Sequence, residues 1–229
     1  MEFTKFIVFT LVSSIEYAAI LIFIFTLFRI KYRWYAYHMI FVCVSLSYLS
    51  FTMREDQLAA LSPFVQLGVL VILMWLLFQI HLGYSVFISF IGYFAYGLLQ
   101  GFIMLLARVF VNNLEPFTMK MYLVALITSS VAIVISYYIK RKNWGYSFVP
   151  NSDELEISSM KKKELFTLLL VLLFLLFGVG IVYYAYYFTV EHGSAISFIS
   201  AIIVLIVETS LLIYAANKKE KVKVGANDD

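Results

Sequence analysis

Long apolar runs recur along the whole chain, each near or above the roughly 18–20 residues needed to cross a hydrocarbon core. No other feature constrains the fold as much. Of 229 residues, 63% are hydrophobic and only 14% are charged. A soluble globule of this size keeps too much surface relative to its volume to bury that excess. Lipid must replace water around most of the chain. This excludes a soluble enzyme, a nucleic-acid-binding domain, a disordered chain and a disulfide-stapled secreted module. Lipid offers no partner for an open strand edge, and the runs lack the alternation of barrel strands. The expected fold is therefore all-α, a polytopic transmembrane helical bundle.

Seven spans are predicted, at residues 6–28, 35–53, 63–80, 84–107, 121–139, 165–188 and 195–216. The first ends at Arg29, Lys31 and Arg33, and the second at Arg54-Glu55-Asp56. The second carries Ser45, Ser47 and Ser50, and a six-span reading would drop it. Pro63 opens the third, where a first helical turn tolerates its missing N–H. His81-Leu82-Gly83 reads as a tight connection into the fourth. A polar cytoplasmic loop, 140–163, separates spans five and six, and a basic tail, 218–229, follows the seventh. With the N-terminus outside, 13 of the 17 basic residues fall on the cytoplasmic side, the four others being Lys5, Arg54, Arg108 and Lys120. The positive-inside rule thus selects N-out/C-in. Aromatic girdles at Tyr32, Trp34, Tyr35 and Tyr37, at Tyr137, Tyr138 and Trp144, and at Tyr183 to Phe188 mark interfaces with the bilayer. The first run is too long for a signal-peptide core and no A-x-A-like site follows it, so it reads as a span. Cys43 is the single cysteine, which excludes an intramolecular disulfide and any multi-cysteine metal site.

Of the 31 formally charged side chains, only Glu16 and Glu208 fall inside the proposed spans. An ionisable group near the bilayer centre costs about 2.5–3.5 kcal/mol and is by default a candidate functional site. Glu16 lies near the middle of the first span and Glu208 about three residues past the middle of the seventh, so neighbouring helices would bring them to similar depth. No basic residue shares that depth in the sequence pattern, and an unpaired carboxylate in a dry interior takes up a proton. One reading is a proton, cation or amine site. The other is a protonated carboxyl held by Ser13, Ser14, Gln100 or a tyrosine.

Gly97-Leu98-Leu99-Gln100-Gly101 has GxxxG spacing, with Gly92 and Ala95 upstream, and small residues at that interval let helices approach closely. It suits packing within the protein or a homodimer face. Gln66, Gln100 and Arg108 are candidates to line an outward-facing vestibule, while Arg108 can instead snorkel to the outer headgroups. His38, His81 and His192 do not form a metal site: His81 and His192 fall on opposite sides of the membrane, and His38 sits at the cytoplasmic start of the second span as an interfacial residue. There is no HExxH, GxSxG, P-loop or Rossmann glycine pattern, and no lysine in the seventh span for a Schiff base. No cofactor is expected. The 140–163 loop is bracketed by Lys-Arg-Lys and Lys-Lys-Lys. Those clusters suit anchoring to anionic lipid, at about 1 kcal/mol per basic residue, or docking of a partner.

A tyrosine- and phenylalanine-rich bundle of six or seven helices, N-out, running into a basic cytoplasmic helix at Leu212 to Lys223, resembles the membrane sensor region of peptide-pheromone histidine kinases of the Agr and competence type. The resemblance implies an extracellular peptide ligand and, in the family, a following dimerisation helix and kinase. This chain has only Val224 to Asp229 after Lys223, without a phosphoacceptor histidine or an ATP-binding segment. The expectation is a sensor region without a transmitter, either truncated or a stand-alone accessory protein. Two functions stay open. One is a non-enzymatic receptor, regulatory or immunity protein that recognises a peptide or another membrane protein. The other is a small proton- or cation-linked transporter, or a substrate-binding membrane subunit, using Glu16 and Glu208.

Overall fold

The computed structural model describes residues 2–30, 35–55, 61–110 and 117–147, together with positions 203, 206, 207, 210, 211, 213, 214 and 217, which are helical. The expected spans 165–188 and 195–216 lie outside the described residues apart from those eight positions, as do most of the 140–163 loop and all of the 218–229 tail. Five helices are described: α1 (Glu2–Leu27), α2 (Ala36–Glu55), α3 (Ser62–Leu77), α4 (Leu82–Phe110) and α5 (Met119–Arg141). The described residues contain no strand. Four helices are long and apolar enough to cross a membrane, over Thr4–Leu27, Ala36–Arg54, Leu82–Ala107 and Met119–Arg141.

The fifth, α3, differs from expectation. Pro63 sits in its first turn as the sequence suggests, but the helix has 16 residues and stops at Leu77. At about 1.5 Å per residue that is about 24 Å, short of a hydrocarbon core of about 30 Å. The apolar run continues through Phe78 and Ile80, both buried, yet Gln79 takes a left-handed φ of 53° and turns the chain. The connection therefore lies at 78–81 rather than 81–83, and Leu82 and Gly83 belong to the first turn of α4. His81 starts that turn: its Nδ1 accepts from Gly83 N–H at 3.3 Å and its carbonyl accepts from Ser85 N–H at 2.9 Å. At the start of α5, Thr118 caps in the usual way, its hydroxyl accepting from Met121 N–H at 3.4 Å.

Helix α1 is the hub, packed against α2, α4 and α5, while α3 fills the space between α2 and α4. Ring contacts fix directions. Phe6 meets Phe51 at 5.0 Å, so α1 and α2 are antiparallel, and Phe9 meets Phe117 at 5.4 Å while Tyr146 N–H bonds Leu27 O at 2.7 Å, so α1 and α5 run the same way. Ile24 faces Gly92 and Glu16 faces Gln100, which makes α1 and α4 antiparallel. Gly92 permits the close crossing, because a Cβ there would lie 2.0 Å from Ile24 Cγ1.

Polarity is arranged inside out relative to a soluble domain. Ser47 and Ser50 of α2 are buried, whereas Tyr37, Ile40, Phe41, Val44 and Tyr48 are exposed on its outer face. The serines that lower the hydropathy of α2 thus point inward. In α5, Thr128, Ser129 and Ser136 are buried and each donates to the carbonyl four residues back, at 2.8, 2.8 and 2.7 Å. That local bond satisfies a hydroxyl without a partner on another helix.

Candidate functional site

Glu16 stands about halfway along α1 and is partly exposed in the gap between helices. Gln100 of α4 donates from Nε2 to its Oε1 at 2.8 Å, and the hydroxyl of Tyr96 donates to the same oxygen at 3.4 Å. Tyr96 is buried and also meets Ser129 Oγ of α5 at 3.2 Å. The carboxyl is thereby tied to three helices.

The hydrogen inventory of this group is informative. Ser129 commits its hydrogen to Ala125 O, and a tyrosine hydroxyl has only one to give. With Glu16 ionised, Tyr96 donates to the carboxylate. With Glu16 protonated on that oxygen, the acid donates to the tyrosine, and Tyr96 turns its hydrogen to Ser129. Both protonation states are hydrogen-bonded with no heavy atom displaced.

A second set of polar groups adjoins the first. On α3, Gln66 donates from Nε2 to Ser62 Oγ and accepts from the Tyr93 hydroxyl at 3.2 Å. Both α3 residues are buried. Tyr93, Tyr96 and Gln100 recur at i, i+3 and i+7, one face of α4. Tyr17 of α1 and Ser50 of α2 are both buried. Ser14 meets Ser47 at 3.1 Å. The result is a polar seam to which all five helices contribute.

Glu16 and Gln100 are in direct contact, and Gln66 joins the seam through Tyr93. Arg108 lies in the last two turns of α4, about 12 Å along the helix from Gln100 at 1.5 Å per residue. Glu208 lies outside the described residues. Gly101 is half-buried, a Cβ on Gly97 would meet nothing within 4 Å among the described residues, and Gly92 lies under the side chain of Ile24. Beside Gly97, Phe23, Ala95, Leu99, Phe102, Ala132 and Ile135 border an apolar groove of about 320 Å³. Two histidines play structural parts: His38 contacts the rings of Tyr35 and Phe78, and His81 starts α4. His192 lies outside the described residues. No group of three metal-ligating side chains occurs among the described residues.

The sequence pattern did not single out Tyr93, Tyr96, Ser129 or Arg54. The i, i+3, i+7 spacing with Gln100 was the signal for the two tyrosines. Arg54 modifies the expectation that no cation is near. Its guanidinium lies 5.2 Å over the ring of Phe9, seven residues before Glu16 on the same helix. No protein-family model, curated protein or solved structure matches this chain.

Proposed function

We propose that the chain is a multi-pass plasma-membrane protein, a seven-helix N-out/C-in bundle without catalytic activity, that binds a proton or a small cation at Glu16 and couples it to a transported or bound substrate. The observation that carries this reading is the pairing of Gln100 and Tyr96 on one carboxyl oxygen of a partly exposed mid-helix glutamate. A polar lock made only for stability would be weak support for keeping a glutamate, since contacts of this kind between membrane helices average about 0.6 kcal/mol. The Tyr96 hydroxyl, poised between Glu16 and Ser129, lets the carboxyl change protonation without rebuilding the bundle. Glu208 belongs to the same reading as the second carboxyl of the spans.

The test is proton flux in proteoliposomes carrying an entrapped pH-sensitive dye under an imposed potential. Flux above that of empty liposomes, lost in Glu16→Gln at equal incorporation, is expected. Flux equal to empty liposomes, or unchanged in Glu16→Gln, contradicts the proposal.

One observation favours the receptor reading as a second. Phe6, Phe9, Phe51 and Phe117 form an aromatic cluster where α1 begins, with the Arg54 guanidinium over Phe9. On the topology proposed above this end is extracellular, as the resemblance to pheromone sensors requires for recognition of a peptide or a partner protein. Saturable binding of peptides encoded beside the gene, lost in Arg54→Ala, supports it, and absence of binding across such a panel refutes it. A homodimer would use the open stretch of α4 around Gly97 and Gly101.

A further inference from the structure

Helices α1 and α5 run the same way, and their last turns are joined where Tyr146 N–H bonds Leu27 O at 2.7 Å. Backbone groups close both ends. On α1 the carbonyls of Ile24, Phe25, Thr26 and Leu27 accept from the N–H groups of Phe28, Ile30, Arg29 and Tyr146 in turn. On α5 those of Tyr138, Ile139 and Lys140 accept from Lys142, Trp144 and Asn143. Arg29 and Asn143 make these closures with left-handed φ values of 52° and 54°. The carbonyls that a helix end leaves over are thus taken by backbone N–H groups, and basic side chains are not needed to bond them.

Basic side chains are nevertheless gathered there. Arg29, Arg141 and Lys142 are all exposed. The Arg29 guanidinium donates to Asn143 O, next in sequence to Lys142, and Lys142 Nζ stands 6.0 Å from the Tyr138 ring. Trp144 packs edge-on against the same ring, with centroids 5.9 Å apart, and both rings are exposed. The acidic residues among those described are Glu2, Glu16 and Glu55. Glu16 is 13 residues back along α1 from Arg29, about 20 Å. Glu2 and Glu55 stand at the opposite end of α1 and α2. The three cations therefore have no carboxylate partner among the described residues.

Exposed tryptophan and tyrosine at the end of a membrane helix sit at headgroup level, which sets these cations at the depth of lipid phosphates. Arginine grips a phosphate through its planar fork and lysine through a point charge. Toward the middle of α5, Val134, Val131 and Ile127 recur on the exposed face that carries Tyr138, an apolar track such as an acyl chain needs and a soluble phosphate does not. We infer that the junction of the α1 and α5 ends is a binding site for an anionic phospholipid, its phosphate held by Arg29, Arg141 and Lys142 and its chain lying below Tyr138 and Trp144. The inference rests on the reading that these helices span a membrane, and it goes beyond the proposed role of Glu16, on which it does not depend.

Trp144 is itself a reporter. It is one of three tryptophans, so Trp34→Phe with Trp75→Phe leaves it as the single fluorophore of the full chain. The protein would be reconstituted in phosphatidylcholine vesicles that contain rising fractions of phosphatidylcholine or phosphatidylglycerol brominated near the headgroup end of the chain. Brominated phosphatidylglycerol should reach half-quenching at a mole fraction at least about tenfold lower, since each basic residue near the surface contributes about fivefold. Arg141→Gln and Lys142→Gln should each reduce that preference about fivefold, while Lys5→Gln, at the other end of α1, should leave it unchanged. Equal quenching by the two lipids overturns the inference, as does a preference that survives in the Arg141→Gln/Lys142→Gln double variant. Loss of the preference on adding soluble glycerol phosphate also overturns it, by assigning the cations to a free phosphate. If the tryptophan-reduced protein fails to accumulate, native mass spectrometry of the otherwise unaltered chain makes the same comparison. Retention of phosphatidylglycerol over phosphatidylcholine, lost in the double variant, supports the site, and equal retention overturns it.

Discussion

Replacing Gly92 with alanine places a methyl group where Ile24 already sits. The added Cβ would lie 2.0 Å from Ile24 Cγ1 and 2.7 Å from Cδ1, and Ile24 is fully buried with 0% exposure. Either Ile24 leaves its rotamer or α1 and α4 move apart, and overpacking of this kind costs about 1–3 kcal/mol. The contact at risk lies eight residues along both helices, about 12 Å, from the Glu16–Gln100 bond. Separation at Gly92 is therefore expected to loosen that bond as well. Ile24→Ala removes Cγ1 and Cδ1 and leaves its Cβ 3.3 Å from the new methyl group, a tolerable approach. Alone it opens a cavity at a cost of about 2–5 kcal/mol. In the double variant the methyl group occupies part of that cavity. The two substitutions should then be coupled by about 1–3 kcal/mol in the favourable direction. Unfolding of the purified protein in mixed micelles, followed by circular dichroism across the four-member cycle, measures this coupling. A neutral Gly92→Ala, or strict additivity of the two changes, would refute the close α1–α4 crossing.

Other outcomes follow from single residues. Gly145 has φ +138°, and a Cβ there would lie 2.7 Å from Leu27 O, the acceptor of Tyr146 N–H, so Gly145→Ala should cost about 1–3 kcal/mol, visible as a lower Tm. Thr118→Ala removes the side-chain cap of α5 and should cost about 1 kcal/mol in the same assay, while Thr118→Ser should restore most of it. Glu16→Gln keeps an acceptor for Gln100 and should change stability by less than about 1 kcal/mol while abolishing flux. A loss of several kcal/mol would instead mark Glu16 as a packing residue.

The four long helices were legible because apolar length is a local property, and each begins and ends within a few residues of the predicted span. The end of α3 was not, since Phe78 and Ile80 continue the apolar run while packing in the core from a turned backbone. The inward face of the α2 serines could be assigned only once α1 was beside them. The Glu16–Gln100 pair joins residues 84 apart, and local periodicity cannot place two helices side by side. Charge scarcity pointed to Glu16 and Gln100 stood out as a polar residue in an apolar span, while Tyr93 and Tyr96, which share its face of α4, passed unremarked among the many tyrosines. Their meeting depends on the α1–α4 crossing. Gly92, upstream of the GxxxG spacing, lies under Ile24, a contact that spacing alone could not give because it does not specify which helix lies opposite.

If Glu16 exchanges a proton or cation within the bundle, infrared difference spectroscopy of the membrane-reconstituted protein reports that carboxyl directly. On acidification, a carboxylic-acid carbonyl band should appear in the wild type, be missing in Glu16→Gln, and shift in Tyr96→Phe, which removes one of the two donors to Oε1. Identical difference spectra for the wild type and Glu16→Gln would contradict the account.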